Sequence, residues 1–368
     1  MLRYCLPRVR TQGHGLGNEL VPWARAFLAS QVLDARLLPP AFGLNRRGYW
    51  RDFHSPPDDW IYHRAIERLL PVVNFTEADY LAHGGADVVA ALRSFAAANR
   101  LQQRSMYVLV TEGLWGGYYH VQAARDFIRS TLYRSRYAPG NLLRLRDRID
   151  PDRILVGMHV RLGDFKPPAS PEVYRRAANV SLPLEWFRNV ALSLQRALGA
   201  ELQLLLVSDG TQAQLQPLLD AVPCITTGDL PGGDCSDALA LADADLLVCS
   251  ASTYSTLAAF LSDSPCVYFA PSLYRHPEGC YSSGDAAADA RRPDGPRQRA
   301  LQEFMAVAAR DPAAWMSRAV AVDIDGTIPH ALIETLRRRR AARRWQADLT
   351  RFGVAPLTTL PSNDQGTA

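Results

Sequence analysis

Apolar residues along this chain follow two rhythms, and their alternation predicts the fold class. Short, nearly continuous apolar runs occur at Leu2–Leu6, Ser105–Thr111, Ile154–Val160, Leu202–Val207, Pro223–Thr226 and Asp245–Cys249. Runs of this length read as strands buried on both faces, Ser105–Thr111 also by its β-branched content. Between them lie stretches with a period near 3.6. In Pro183–Leu198 the residues Phe187, Val190, Ala191, Leu194 and Leu198 fall on one helical face, and Gln212–Val222 and Ser236–Ala242 behave similarly. Strands alternating with helices imply parallel sheets covered by helices. An apolar helix is also expected from Leu20, with Pro22 in its first turn. The segment from about 39 to 75, rich in Pro, Trp, Tyr, His and Asp, has no clean period and reads as an irregular excursion.

The length of 368 residues suits two domains, expected near 1–150 and 151–320. A basic helix within 321–356 and a disordered tail over 357–368 are expected to follow. With 48% hydrophobic residues both domains can form cores, and a net charge of +4 suits an anionic small molecule without requiring nucleic acid. Lys166 is the only lysine, so arginine carries nearly all the positive charge. The six cysteines form no C-x-x-C pair and several sit in apolar runs, which points to reduced, buried thiols and a cytoplasmic location. No signal-peptide pattern opens the sequence, and no apolar run approaches the ~20 residues of a membrane span.

In parallel sheets, ligands bind at the carboxyl ends of strands, and three polar groups fall there. His159-Val-Arg161-Leu-Gly-Asp164 follows one strand; its arginine suits a diphosphate clamp, although a structural Arg–Asp pair would use the same residues. Asp209, after the most apolar strand, suits a nucleotide base or ribose, or the cap of the next helix. Ser252-Thr253-Tyr254-Ser255-Thr256 opens an apolar helix, where backbone N–H groups and hydroxyls suit phosphate, beyond what one cap requires. Near the N-terminus a glycine-rich turn, Gln12-Gly-His-Gly-Leu-Gly-Asn-Glu19, lies between strand and helix.

In this order the motifs resemble those of the fucosyltransferase superfamily of GT-B glycosyltransferases, closest to its α-1,2, family-11-like branch. His159-Val-Arg161-Leu-Gly-Asp164 resembles that superfamily's H-x-R-(R)-x-D motif. Gly15-Leu-Gly17-Asn18-Glu19 resembles its G-x-G-N-Q loop, Ser208-Asp209 its S-D motif, and Ser252-Thr-Tyr-Ser-Thr-Leu-Ala-Ala259 its S-S-F-S-x-x-A-A stretch. The resemblance implies a GT-B-like α/β fold with two Rossmann-like domains facing a cleft. It also implies an inverting transfer of fucose from GDP-fucose to a glycan hydroxyl, with no metal and no cofactor beyond the donor. Arg161 would bind the diphosphate and steady the leaving GDP, with Asp164 as its catalytic partner. His159, Gly15, Gly17, Asn18, Asp209, Ser252, Thr253, Tyr254, Ser255 and Thr256 would complete the donor site. Asp164, Glu19 and His14 are candidates for a general base. Leu162 stands where many members carry a second arginine, Glu19 where glutamine is usual, and residues 36–104 match no family motif. Two alternatives stay open: a GT-B transferase using another nucleotide sugar, and an inactive nucleotide- or glycan-binding protein.

Other patterns invite different readings. Ala319-Val-Ala-Val-Asp323-Ile-Asp325-Gly326-Thr327 resembles the nucleophile loop of haloacid-dehalogenase-type phosphatases, but too few residues follow it, and a strand ending in an Asp-Gly turn fits better. Asp243-Ala-Asp245 mimics a D-x-D metal motif but precedes its strand, as a helix-to-strand turn would. His54 and His63 have no partner spacing and are expected on the surface or at the acceptor. The basic run Arg337–Arg344 is expected as a solvated helix face, or as a peripheral contact with anionic lipid at the inner membrane face.

Overall fold

The computed structural model describes residues 1–8, 14–56, 58–83, 87–115, 117–168, 174, 180–276, 279–282 and 318–340. The first half builds β1 (Leu2–Pro7), α1 (Leu16–Leu33), β2 (Arg36–Leu37), α2 (Asp59–Leu69), β3 (Val72–Phe75), α3 (Glu77–Ala82), α4 (Val88–Ala98) and β4 (Met106–Thr111). After them, α5 (Arg125–Tyr133) and α6 (Ala138–Arg148) lead to the second half. That half runs β5 (Ile154–Val160), α7 (Leu184–Leu198), β6 (Leu202–Ser208), α8 (Gln212–Leu219), β7 (Cys224–Thr226), α9 (Asp234–Ala242), β8 (Leu246–Cys249), α10 (Thr253–Leu261) and β9 (Cys266–Phe269). A hairpin of β10 (Leu273–His276) and β11 (Gly279–Ser282) follows, and β12 (Ala319–Val322) and a helix over His330–Arg340 end the described chain.

The protein is therefore α/β, with two parallel sheets compatible with a two-domain Rossmann-like fold. The first has four strands in the order β2-β1-β4-β3, the second six in the order β12-β9-β8-β5-β6-β7. All seven residues of β5 are buried, as the sequence pattern predicts for a strand in the middle of a sheet covered on both faces. One face of the six-stranded sheet packs Ile154, Val156 and Met158 against α7 and the His330–Arg340 helix, through Trp186, Val190, Leu194, Ile333 and Leu336. Its other face belongs to a core that continues through Leu239, Leu257 and Phe260 to Leu20, Leu28, Tyr107 and Leu109 of the first half. The two sheets thus share a layer of helices. Arg129 and Tyr133 of α5 reinforce this layer, both donating to the carboxylate of Asp243, while Arg129 also donates to the Leu261 carbonyl at 2.9 Å.

Three local expectations are revised. α1 starts at Leu16, not Leu20, so Gly17, Asn18 and Glu19 occupy its first turn and Pro22 lies inside it. A helix at this point tolerates two poor helix formers because Gly17 packs where no side chain fits: a Cβ there would lie 2.7 Å from the Thr253 carbonyl oxygen. The segment from about 39 to 75 is not wholly irregular, since it holds α2 and the sheet strand β3. His63, expected on the surface or at the acceptor, is a buried residue of α2, and this burial depresses its pKa. His54, by contrast, is exposed and adopts a left-handed φ of 51°.

The remaining patterns resolve as turns. Asp323-Ile-Asp325-Gly326 closes β12 with Gly326 at φ 69°, and the Asp325 carboxylate accepts from the Thr327 hydroxyl at 2.8 Å. Asp245 is buried and accepts the Leu155 N–H at 2.8 Å, joining α9 to the sheet. On the His330–Arg340 helix, Arg337 pairs with Glu201 and Glu334, whereas the run beyond 340 and the 357–368 tail lie outside the described residues. No helix among the described residues is long and apolar enough to cross a membrane.

Candidate functional site

The strand order brings together residues far apart in sequence. β8, β5 and β6 are neighbours, so their carboxyl ends place Ser250, Arg161 and Asp209 side by side. Each takes a definite role in shaping the turn after β5. The Ser250 hydroxyl accepts the Arg161 N–H at 3.0 Å and donates to the His159 carbonyl at 2.7 Å. Asp209 Oδ1 accepts the Leu162 N–H at 2.9 Å. A Cβ on Gly163 would lie 2.2 Å from Asp209 Oδ2, so a larger residue there would have to displace the Asp209 carboxylate.

Arg161 is held at both ends. Its Nη1 lies 2.7 Å from Asp209 Oδ2 in an ion pair and its Nη2 donates to Asp164 Oδ1 at 2.5 Å, with the guanidinium 5.1 Å from the Phe165 ring centroid. Its side chain is 17% exposed, against 57% for Asp164, so the arginine forms the floor and Asp164 the rim. From the first half of the chain Arg47 reaches the same carboxylate, its Nη2 3.4 Å from Asp164 Oδ2. The four charged groups balance, two arginines against two carboxylates.

Below this layer His159 is buried, its Nδ1 2.7 Å from the Ser255 hydroxyl and its ring 5.0 Å from that of Tyr254. Burial, with the nearby Arg161 charge as a lesser cause, lowers its pKa to about 3. The imidazole is therefore neutral and acts as a spacer between β5 and α10. Ser252 caps α10 by accepting the Ser255 N–H at 3.2 Å. Thr256 is buried with its hydroxyl on the Ser252 carbonyl, and Tyr254 donates to the Asp234 carbonyl at 2.5 Å. Of the five hydroxyl residues, Thr253 and Tyr254 retain solvent exposure at the helix start.

The glycine-rich turn meets this group from the other half. The first turn of α1 abuts the Thr253–Tyr254 peptide at Gly17, so the N-termini of α1 and α10 converge. Tyr118 fixes the approach by donating to the Gly17 carbonyl at 2.6 Å, and the Tyr49 hydroxyl accepts the Leu16 N–H at 2.8 Å. Asn45 ties the surroundings together. Its Nδ2 donates to the His14 carbonyl at 3.2 Å and to Glu19 Oε1 at 3.0 Å, while its Oδ1 accepts the Arg47 N–H at 2.9 Å. Glu19 is buried. Gly15 and Asn18 are partly exposed, and the Asn18 Oδ1 is buried with no hydrogen-bond partner among the described residues.

The expected residues thus gather at one junction, in two tiers. Arg161, Asp164, Asp209, Gly15, Asn18, Thr253 and Tyr254 keep some solvent exposure, whereas His159, Ser252, Ser255 and Thr256 are buried. Sequence reasoning missed Arg47, Asn45, Tyr49 and Ser250. Only Ser250, directly after a strand, carries a local signal; the others come from the segment without a clean period. Comparison of the chain with protein-family models, with curated proteins and with solved structures finds no match. What fold and site define is a two-sheet α/β protein with an arginine and two helix N-termini at its inter-sheet junction.

Proposed function

We propose that this protein is an inverting, metal-independent glycosyltransferase of GT-B type that moves fucose from GDP-fucose to a glycan hydroxyl. The observation that carries the proposal is that Arg161 ends β5 two residues after His159, which meets Ser255 in the first turn of α10, while that turn packs against the first turn of α1 at Gly17. An arginine beside the N-terminus of a helix is a site suited to an anion. The order of the four sequence motifs supplies the choice of donor.

In this reading the sugar–phosphate bond breaks with negative charge developing on the leaving diphosphate. Arg161, ion-paired to Asp209, meets that charge, as does the N–H group of Thr253 at the start of α10. Arg47 adds a second cation from the opposite half. The diphosphate displaces Asp164 from one or both arginines, and the freed carboxylate at the rim takes the proton of the attacking hydroxyl. Glu19 is buried and accepts from Asn45, whereas Asp164 is exposed at the rim, so Asp164 is preferred over Glu19 as the base.

One observation favours a second reading. Arg161 is already balanced by two carboxylates, which also suits a nucleotide- or glycan-binding protein without turnover. Titration with GDP and GDP-fucose, together with a transfer assay on wild type and Asp164→Asn, separates them. Transfer lost in the variant with GDP binding retained supports catalysis. Binding without transfer in the wild type supports the binding protein.

A further inference from the structure

The outer face of the four-stranded sheet is half covered. Leu6, Val108 and Val110 are buried there beneath Ile66 of α2. At the other end of the same strands Leu2 and Met106, direct partners in register, are 51% and 45% exposed. Val72, 42% exposed, pairs with Val108 and so lies on the same face.

α2 extends this surface. It rests on the sheet through His63 and Ile66 and turns Ile61, Ala65 and Leu69 outward, one helical ridge at i, i+4 and i+8. Ile61 is 53% and Leu69 79% exposed, and Trp60 and Tyr62 flank the ridge at 38% and 51%. Beside it runs a second exposed ridge carrying Arg64 and Arg68. Of the helix's carboxylates, Asp59 is in the first turn, engaged by Ser55, and Glu67 is 12% exposed, paired with Arg8 and lying 3.5 Å from Arg64 Nη1, so Arg68 is the arginine of this ridge with no carboxylate of the helix beside it. The outward face is thus apolar, aromatic and cationic at once.

We propose that this face docks on an anionic lipid bilayer, with Trp60, Ile61, Tyr62 and Leu69 entering the interface and Arg64 and Arg68 meeting lipid phosphates. Trp and Tyr are the residues that favour such a boundary, and an in-plane helix with a basic flank is the element that occupies it. A second copy of this chain fits poorly. A two-fold contact through α2 would bring Arg64 and Arg68 toward their own equivalents, and like charges facing each other oppose association. The proposal does not depend on the donor or on catalysis.

The test is co-sedimentation of the full chain with phosphatidylcholine vesicles, with and without phosphatidylglycerol, at low and high salt. Wild type is expected to sediment with the anionic vesicles only, and to be released by salt. Arg64→Gln and Arg68→Gln should each weaken partitioning about fivefold. The Ile61→Ser/Leu69→Ser pair should lower it at least tenfold while leaving the circular dichroism and unfolding curve unchanged, since both side chains are exposed. Failure of wild type to sediment would overturn the proposal, as would equal sedimentation of the variants. So would light scattering that shows a wild-type dimer broken by Leu69→Ser.

Discussion

Gly17 lies against Thr253 with no room for even one carbon between them: a Cβ on Gly17 would stand 2.7 Å from the Thr253 carbonyl oxygen. This contact sets the distance between two helix starts that belong to different sheets. Gly17→Ala must push α1 and α10 apart, because the obstacle is backbone and cannot rotate away. The expected loss of stability is about 1–3 kcal/mol, read from urea unfolding at constant slope. Gly15→Ala, with nothing within 4 Å of its added carbon, is the control and should unfold near the wild-type midpoint.

A second junction between the halves is charged. Arg129 and Asp243 are both largely buried, and Tyr133 donates to the same carboxylate. Removing Arg129 alone leaves that carboxylate uncompensated, so Arg129→Met should cost about 3–5 kcal/mol. The double variant Arg129→Met/Asp243→Asn should recover much of the loss. Equal losses in the two would show that the pair is not coupled.

His159 and Asp237 give stability opposite dependences on pH. His159 has its pKa lowered from 6.5 to about 3, chiefly by burial, so the unfolded chain binds its proton first. Stability from this group is full above pH 6.5 and falls as pH drops toward 3. Asp237, which accepts from Thr227, is raised from 3.8 to about 8, again by burial first. Its contribution is full below 3.8 and is lost as pH rises through 8. Denaturation curves across pH should therefore show His159→Gln less acid-sensitive than wild type and Asp237→Asn less alkali-sensitive. The reverse assignment would contradict both burials.

Much of the second half was legible because its strands are buried on both faces and its helices on one. Ile154–Val160, Leu202–Val207 and Pro183–Leu198 need no tertiary information to be recognised. α2 escaped because the surrounding Pro, Asp, His and Trp residues mask a short helical ridge, Ile61, Ala65 and Leu69, that faces outward. The start of α1 escaped because Gly15 and Gly17 signal a turn locally, whereas their smallness serves a helix–helix approach that only the fold reveals. Arg161, Asp164 and Asp209 were legible as strand-end residues. Their pairing was not, since Arg161 and Asp209, 48 positions apart, are brought together by strand order alone. Arg47 and Asn45 have no sequence signature: their roles exist only through contacts with Asp164, His14 and Glu19.

Arg47 is expected to matter for the donor while leaving the fold intact, being 36% exposed at the side chain and bonded across the junction. Arg47→Ala should weaken GDP binding by about 1–2 kcal/mol, the size of a charge-assisted contact. It should shift the unfolding midpoint little. Calorimetric titration at two salt concentrations checks this, the loss being greater at low salt.

The most direct test is calorimetric titration of wild type and Arg161→Ala with GDP, GDP-fucose, GDP-mannose, UDP and dTDP in the presence of EDTA. The account predicts binding of the guanosine nucleotides by wild type, with GDP-fucose preferred over GDP-mannose, and its loss in the variant. Preference for UDP or dTDP would contradict fucose transfer while keeping a nucleotide at this junction. Absence of nucleotide binding by the wild-type protein would contradict the account as a whole.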